Sequence, residues 1–226
     1  MIDIKKYEPH GICDIIFGNE ESRQRVLDIT NKRRPFPVAG KNGILIHGVW
    51  GTGKTALAKL LSAEIELAIS GAELEWQAEF IRCRQGLNGA AVTRTIESQA
   101  QLMSLNRSGN HYFILDEVDN MTAEAQASLK STMNYLQTVF VLTTNHLDRV
   151  ERGIANRCIQ VDMNAAPAAA WLPLSYRMLS DCGVNGVEDD DLLAVIKLCN
   201  GSARDIFDSI VTIVGRKMES QQLVED

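Results

Sequence analysis

Short apolar runs alternate with stretches of helical periodicity along the first part of the chain. Apolar runs of four to six residues between helical segments are typical of buried parallel strands joined by helices. The predicted strands are Gly43–His47, Glu79–Cys83, Tyr112–Leu115, Phe140–Thr144 and Cys158–Val161. The predicted helices are Glu20–Thr30, Lys54–Ile69, Ala90–Met103, Ala123–Leu136 and a short piece near Leu147–Ala155. The pattern therefore predicts a three-layer α/β domain with a parallel five-stranded sheet.

The pattern changes after Asp162, where strand signals stop and only helical periodicity continues. The predicted helices there are Ala166–Asp181, Asp189–Cys199 and Ser202–Met218, and Ser202 with Asp205 reads as a capping box. We expect an α/β domain over residues 1–163 and a small all-helical lid domain over residues 164–226. The tail Glu219–Asp226 is expected to fray.

A glycine-rich segment follows the first predicted strand and fits the phosphate-binding pattern G-x-x-x-x-G-K-[ST]. Glycines allow the positive φ angles that turn several backbone N–H groups toward one anion. Lys54 can reach the β- and γ-phosphates of a nucleotide, and the Thr55 hydroxyl can ligate Mg²⁺. The segment predicts a binding site for ATP with Mg²⁺, formed by Gly48, Val49, Trp50, Gly51, Thr52, Gly53, Lys54, Thr55 and Ala56.

Two acids, Asp116 and Glu117, end the apolar strand Tyr112–Leu115. Ligands of parallel sheets gather at the carboxyl ends of strands, where the phosphate-binding loop also lies. Adjacent residues of an extended chain point to opposite sides, so the two acids have different roles. We expect Asp116 to hold Mg²⁺ through water and Glu117 to polarise the attacking water.

Asn145 follows a further predicted strand, Phe140–Thr144. Its amide can both donate and accept hydrogen bonds, so it could hold the lytic water. The other interpretation is a loop asparagine that caps the next helix.

Composition restricts the class of protein. No apolar run approaches the roughly 18 residues of a membrane span, and the N-terminus lacks the apolar core of a signal peptide. The five cysteines are scattered without a C-x-x-C pair, which favours free thiols and a cytoplasmic protein over a zinc or disulfide framework. The net charge of −6 argues against nucleic-acid binding through bulk positive charge, although it leaves room for a local basic surface.

Five segments, in this order, resemble the motifs of AAA+ ATPases, and of replication factor C small subunits and related clamp loaders in particular. They are Tyr7–Pro9 with Asp14–Glu20, Leu115–Lys130, Thr143–Asn145, Ile154–Cys158 and Gly201–Asp205. The similarity runs from Tyr7 to Ile213. It implies a P-loop fold, ATP hydrolysis, and an oligomer that acts on DNA or on a DNA-bound replication protein.

The resemblance also implies roles for individual residues. Asn145 corresponds to sensor 1, and Arg204 to the sensor 2 arginine that reaches the γ-phosphate from the lid. Arg157 corresponds to an arginine finger inserted into the neighbouring subunit's site, which can be worth about 10³–10⁵ in rate. The family binds adenine near its N-terminal motif, so Tyr7, Pro9 and Ile16 are candidate pocket residues.

The chain departs from the family pattern at several positions. Val49 and Trp50 replace the prolines common in the loop, Glu8 replaces an arginine, Asn156 a serine, and Asn134 an acid. Clamp-loader subunits carry a third, helical collar domain, and this chain ends about where that domain would begin. We therefore expect another chain or another contact to hold an assembly together, if the protein is a clamp loader.

Three functions remain open at this point. The first is an ATP-hydrolysing clamp-loader-like motor, and the second is a helicase loader or a phage, plasmid or transposition ATPase that forms filaments. The third is a nucleotide-bound scaffold with negligible turnover. Candidate contacts to a DNA backbone are Arg82, Arg84, Arg94 and Lys130, with ordinary solvated charges as the alternative, and the run Lys32–Arg34 is interpreted as a solvated loop.

Overall fold

A computed structural model describes residues 3–84 and 89–225, with residues 218–225 as backbone. Its sheet has five strands, all parallel, in the order β2-β3-β4-β1-β5. The strands are β1 Gly43–His47, β2 Glu79–Arg82, β3 His111–Asp116, β4 Thr138–Thr144 and β5 Cys158–Asp162. The helices are α1 Glu20–Thr30, α2 Lys54–Ser70, α3 Gly89–Ala100, α4 Ala123–Thr132, α5 Arg152–Asn156, α6 Leu172–Asp181, α7 Asp189–Leu198 and α8 Ala203–Glu225.

Two apolar layers enclose the sheet. Alternate residues of a strand face opposite sides, so Ile44 and Ile46 pack with α1 and α2 while Leu45 packs with the α3–α5 side. All residues of β3 and β4, two of the three inner strands, are buried. The predicted three-layer arrangement with a five-stranded parallel sheet is confirmed.

A third apolar cluster forms the helical C-terminal part. Its buried members come from α6, α7, α8 and the segments beside them, and Tyr7 from the N-terminal segment joins them. The Tyr7 hydroxyl donates a 2.8 Å hydrogen bond to Asp181 at the end of α6. The beginning of the chain is therefore anchored on the lid helices.

The predicted strands agree with the structure to within two residues at every end, but several helix ends were wrong. Helix α4 ends at Thr132 rather than Leu136, because the chain must turn there into β4 and Gln137 adopts a positive φ of 57°. Helix α3 ends at Ala100 rather than Met103. The segment predicted as one helix over Ala166–Asp181 is a 3₁₀ turn, Ala168–Trp171, followed by α6 with Pro173 in its first turn, where a missing N–H is tolerated.

The end of the chain also differs from the prediction. Helix α8 continues to Glu225, whereas the residues after Met218 were expected to fray. The segment Glu219–Glu225 holds no glycine or proline that would stop the helix. The piece near Leu147–Ala155 is in fact two short helices, a 3₁₀ turn at Leu147–Arg149 and α5.

Candidate nucleotide-binding site

The strand order brings the predicted site residues to one edge of the sheet. The glycine-rich loop follows β1, Asp116 ends β3, and Asn145 follows β4. Strand β4 lies between β3 and β1, so the carboxyl ends of all three strands are neighbours. The groups that the sequence separates by almost a hundred residues therefore surround one space.

The loop has the backbone geometry that an anion cradle needs. Gly48, Gly51 and Gly53 have φ angles of 150°, 79° and 90°. A Cβ at Gly48 would lie 2.5 Å from the Met163 backbone, so only glycine lets the loop pass this close to the end of β5. Gly53 is the N-cap of α2, and the N–H groups of Lys54, Thr55 and Ala56 in its first turn make no hydrogen bond to any residue that the structure describes. These free donors at a helix N-terminus favour a phosphate group.

Lys54 is buried at 7% exposure and is held by the loop itself. Its ammonium donates to the carbonyl oxygens of Gly48 at 2.9 Å and Val49 at 2.6 Å. Burial lowers the pKa of Lys54 to about 8, against the opposing pull of the carboxylates of Asp116, Asp119 and Glu117. The side chain therefore stays mostly protonated at pH 7, and a bound triphosphate would raise its pKa.

Asp116 is a buried carboxylate joined to the loop by Thr55. The Thr55 and Thr143 hydroxyls both donate to Asp116 Oδ1 at 2.8 Å, and Arg82 Nε lies 3.8 Å from Asp116 Oδ2. A hydroxyl and a carboxylate in contact beside a phosphate cradle are oxygen ligands of the kind Mg²⁺ prefers. The residues present therefore fit a Mg²⁺ ion that is shared with a bound nucleotide.

Glu117 lies just after the end of β3. Its φ of 62° turns the chain out of β3, and its N–H donates to Thr143 Oγ1 at 2.9 Å. Asn120 Nδ2 lies 3.2 Å from Glu117 Oε2 and orients the carboxylate. Asp116 and Glu117 thus sit in different environments, one buried and the other half-buried at the site's rim.

Asn145 is positioned by Asp119, which the sequence pattern alone does not mark as a site residue. Asp119 Oδ1 accepts from the Thr144 hydroxyl at 2.7 Å and from the Asn145 N–H at 3.3 Å. Thr143 and Thr144 therefore tie the end of β4 to the acidic segment after β3. Two threonines ending a strand beside an acidic strand end were the available signal for this connection.

The lid contacts the loop directly. The Ala203 N–H, at the start of α8, donates to the Gly51 carbonyl at 2.9 Å. Asn164, in the segment that joins the two parts of the chain, accepts from the Val49 N–H at 3.2 Å. Arg204 is exposed and close enough to Lys54 to lower that side chain's pKa further. The predicted sensor 2 residue thus lies on the same side of the molecule as Lys54. The predicted capping box is half formed, since the Asp205 N–H lies 3.4 Å from Ser202 Oγ.

Arg157 lies away from this space, at the amino ends of the strands rather than at their carboxyl ends. It precedes Cys158, which pairs with Gly43 at the start of β1, whereas the loop follows the end of β1. The length of β1 separates the two, roughly 15 Å at the rise of a strand. The guanidinium donates two hydrogen bonds to Asn134 Oδ1, from Nη2 at 3.0 Å and from Nε at 3.2 Å. It donates a third, from Nη1, to the Gly153 carbonyl at 3.0 Å.

The candidate adenine residues lie between the N-terminal segment and α6. Tyr7 and Ile16 line a cavity of about 420 Å³ with Leu174 and Arg177 of α6, and Pro9 is half-buried nearby in the chain without lining it. The Arg177 guanidinium lies 5.6 Å from the centre of the Tyr7 ring. Adenine binding by these three residues stays a prediction.

Trp50 is 62% exposed at the tip of the loop, where its ring makes an edge-on contact with His146 at 5.3 Å between centroids. His146 follows Asn145, so the two aromatic rings bridge the loop and the end of β4. No sequence signal paired these residues.

The candidate DNA contacts are partly occupied within the chain. Lys130 forms a 3.1 Å ion pair with Glu151, Arg82 faces Asp116, and Arg94 Nε donates to the Ala90 carbonyl. Arg84 is exposed beside residues 85–88, which lie outside the described part of the chain. No helix of the described part is long and apolar enough to cross a membrane.

Comparison with known proteins agrees with this geometry. Residues 44–163, from β1 to the end of the sheet, match the ATPase family associated with various cellular activities (AAA). A replication factor C small subunit of Thermoplasma volcanium is 33% identical over 210 residues, covering 90% of this chain and 62% of the relative. The replication factor C small subunit of Archaeoglobus fulgidus is 27% identical over 215 residues, covering 92% of this chain and 62% of the relative. Replication factor C subunit 4 of Schizosaccharomyces pombe is 30% identical over 217 residues, covering 93% of this chain and 59% of the relative.

The chain thus spans about 60% of the length of these relatives. The resemblance to replication factor C small subunits is confirmed over most of the chain, and the family match covers the loop, both acids and the sheet that carries them. This protein belongs to the AAA family of ATPases.

Proposed function

We propose that this chain binds and hydrolyses ATP within an oligomer and uses the cycle to load or remodel a protein on DNA, as a clamp loader does. One observation carries the proposal. The carboxyl ends of three neighbouring strands bring together free N–H donors, Lys54, the Thr55–Asp116 pair, Glu117 and Asn145.

Binding begins at the loop. The free N–H groups at the start of α2 and the Lys54 ammonium take the phosphates, and Lys54 exchanges its loop carbonyls for phosphate oxygens. Thr55 and Asp116 would hold a Mg²⁺ ion, which would supply neutralisation of the phosphate charge. Tyr7, Pro9 and Ile16 are the proposed surroundings of the adenine.

Hydrolysis is an in-line attack of water on the γ-phosphorus that releases ADP and phosphate. Glu117 accepts the water's hydrogen bond and polarises it, while Asn145 fixes the position of the water or of the γ-phosphate. Arg204 adds positive charge from the lid. Asp119, through Thr144 and the Asn145 N–H, holds Asn145 in place.

The oligomer follows from Arg157. An arginine on the edge of the sheet opposite the loop cannot serve its own nucleotide, so its role as a finger requires a second subunit. Asn164 lies at the proposed division between the two domains and accepts a hydrogen bond from the Val49 N–H of the loop. The names of the relatives support DNA replication as the setting.

Two substitutions test the chemistry. Lys54→Ala should abolish ATP binding, and Glu117→Gln should bind ATP normally but hydrolyse it at least a hundredfold more slowly, since general-base assistance contributes about 10²–10⁴ in rate. Binding is measured by calorimetry and turnover by phosphate release. Glu124→Gln, an exposed acid in the first turn of α4, is the matched control.

The outcomes separate the possible functions. Normal ATP affinity in Lys54→Ala would contradict the assignment of the loop. Tight ATP binding with negligible turnover in the unaltered protein, alone and with primed DNA, would favour a nucleotide-bound scaffold.

A further inference from the structure

An open basic groove runs along the outer edge of the sheet, beside β5. It has a volume of about 560 Å³ and is bounded by Arg25 of α1, Arg34, Lys41 and Arg152 of α5. Its lining contains these four cations and no carboxylate, although the chain as a whole carries 29 acids and 23 bases. Such a local excess of positive charge needs an explanation in a protein of net charge −6.

Two of the cations are held in place by the edge strand. Strand β5 is at the end of the sheet, so its outward carbonyl groups have no partner strand. Lys41 Nζ donates to the carbonyls of Asn156 at 2.7 Å and Cys158 at 3.0 Å, and Arg25 donates to the Gln160 carbonyl at 2.9 Å. Carbonyl partners fix both side chains without neutralising the charge of Lys41, whereas Arg25 is also paired with an acid, Glu21. Lys41 therefore gives the floor of the groove a preformed positive charge.

The other two cations are available to a ligand. Arg34 and Arg152 are exposed, and neither forms an ion pair with any residue that the structure describes. Arg34 belongs to the basic run Lys32–Arg34, in which Arg33 faces Asp28 at 4.0 Å. The run was interpreted as a solvated loop, but the fold directs Arg34 to the same groove as Arg152.

We propose that this groove binds the phosphodiester backbone of duplex DNA without reading its sequence. A duplex backbone repeats its charge along its length, so it can meet several separated cations at once. A single small anion is better held in an enclosed site, whereas this groove is open along the sheet edge. The floor between the cations consists of short or flat groups, including Ala155 and the edge of β5, which permit close approach.

The groove is distinct from the nucleotide site. It lies on the outer side of β5, whereas the phosphate-binding loop follows β1 at the carboxyl ends of the strands. Asn156 and Cys158, which flank Arg157, line the groove, but the Arg157 side chain is not part of the lining and is hydrogen-bonded to Asn134. A duplex in the groove would therefore leave the loop open to a nucleotide. The groove is also separate from Arg82, Arg94 and Lys130, which have partners within the chain.

The test compares two double variants that change the net charge equally. Arg34→Glu with Arg152→Glu removes the groove's free cations, and Lys197→Glu with Lys217→Glu changes two exposed lysines of the lid. Affinity for a fluorescently labelled duplex is measured by anisotropy over a range of salt concentrations. The groove variant should bind at least tenfold more weakly than the control, and the dependence of log affinity on log salt should become shallower by about 2, since each lost phosphate contact contributes about 0.9.

A second groove variant, Arg34→Gln with Arg152→Gln, excludes repulsion by the introduced acids and should show the same change in slope. ATP affinity should be unchanged in all variants, which establishes that they fold. Equal DNA affinity in the groove and control variants would overturn the proposal, as would a wild-type protein that binds no duplex. A changed oligomer size in sedimentation with unchanged DNA affinity would instead identify the groove as a subunit contact. ATP turnover by the wild-type protein tests the proposed function separately.

Discussion

At the scale of single residues, Glu66 is the most deeply buried charged side chain among the residues that the structure describes. It lies on α2, far along the helix from the phosphate-binding loop, and its hydrogen bonds hold the loop that precedes β3. Its carboxylate accepts from the Ser108 N–H at 2.9 Å, from the Ser108 hydroxyl and from the Tyr112 hydroxyl at 2.8 Å. Burial raises the pKa of Glu66, but hydrogen bonds from Ser108, Ser70 and Tyr112 outweigh it and lower the pKa below its ordinary value of 4.5.

Glu66→Gln should reduce the free energy of unfolding at pH 7 by about 1–3 kcal/mol, because an amide N–H₂ would face donors that have no other acceptor. A carboxylate whose pKa is lowered by folding stabilises the protein above its unfolded pKa, and that contribution is lost as the pH falls through the folded value. The difference between wild type and variant should therefore narrow as the pH is lowered below about 4.5. Urea unfolding at a series of pH values measures the difference in free energy of unfolding between wild type and variant. Glu73→Gln is the control, because Glu73 is exposed. A difference that stays constant with pH would be inconsistent with this account.

At the scale of elements, the contact between α8 and the loop depends on Gly201. This residue has a φ of 76°, and a Cβ there would lie 2.3 Å from the Cβ of Ala165 and 2.8 Å from its Cα. Ser202 and Ala203 follow at once, and Ala203 is bonded to Gly51. The close approach of two backbones therefore sets where the lid helix begins.

Gly201→Ala should displace the start of α8 from the loop, lower ATP affinity several-fold and destabilise the protein by about 1–3 kcal/mol through strain. Gly183→Ala is the matched control, since Gly183 has a φ of 70° but faces open space. Gly183→Ala introduces the backbone strain of a positive φ without a collision like that of Gly201→Ala with Ala165, so it separates the two effects. ATP affinity is measured by calorimetry, and equal losses in the two variants would show that the collision is unimportant.

Individual helices, strands and loops also differ in how well the sequence predicts them. Apolar runs located the strands, and the glycine-lysine pattern located the loop, because both signals are local. The end of α4 could not be located that way, since the turn at Gln137 is imposed by the position of β4. Tyr7 was predicted as a pocket residue, but its burial against the lid depends on Asp181, 174 positions away. Asn164 was missed for the same reason, because its partner Val49 lies 115 positions earlier.

At the scale of the whole molecule, the two arginines predicted for catalysis lie on different sides of the fold. Arg204 stands near Lys54, whereas Arg157 is held by Asn134 at the far edge of the sheet. In the proposed assembly, one subunit would present its nucleotide on one face and Arg157 on another. The catalytic sites of such an assembly would lie between neighbours.

Mixing two inactive variants tests this arrangement. Lys54→Ala retains Arg157, and Arg157→Ala retains the loop, so neighbours of the two kinds form one complete site and turnover should partly return. The phosphate-release rate of the mixture is compared with that of each variant alone. Arg152→Ala is the control, because Arg152 begins the short helix that ends just before Arg157 but lines the basic groove. This variant should keep its turnover without a partner. No recovery on mixing would argue for a finger that acts within one subunit.

The exposed Trp50 ring has a consequence for observing this protein. An indole at the tip of the loop, in contact with the His146 imidazole, should change its emission when a triphosphate binds beside it. Trp171 is buried at 5% exposure in the lid and Trp76 is 46% exposed outside the loop, so these two indoles contribute a background emission. The loop thus carries its own optical reporter, with which nucleotide binding should be observable in real time without a labelled nucleotide.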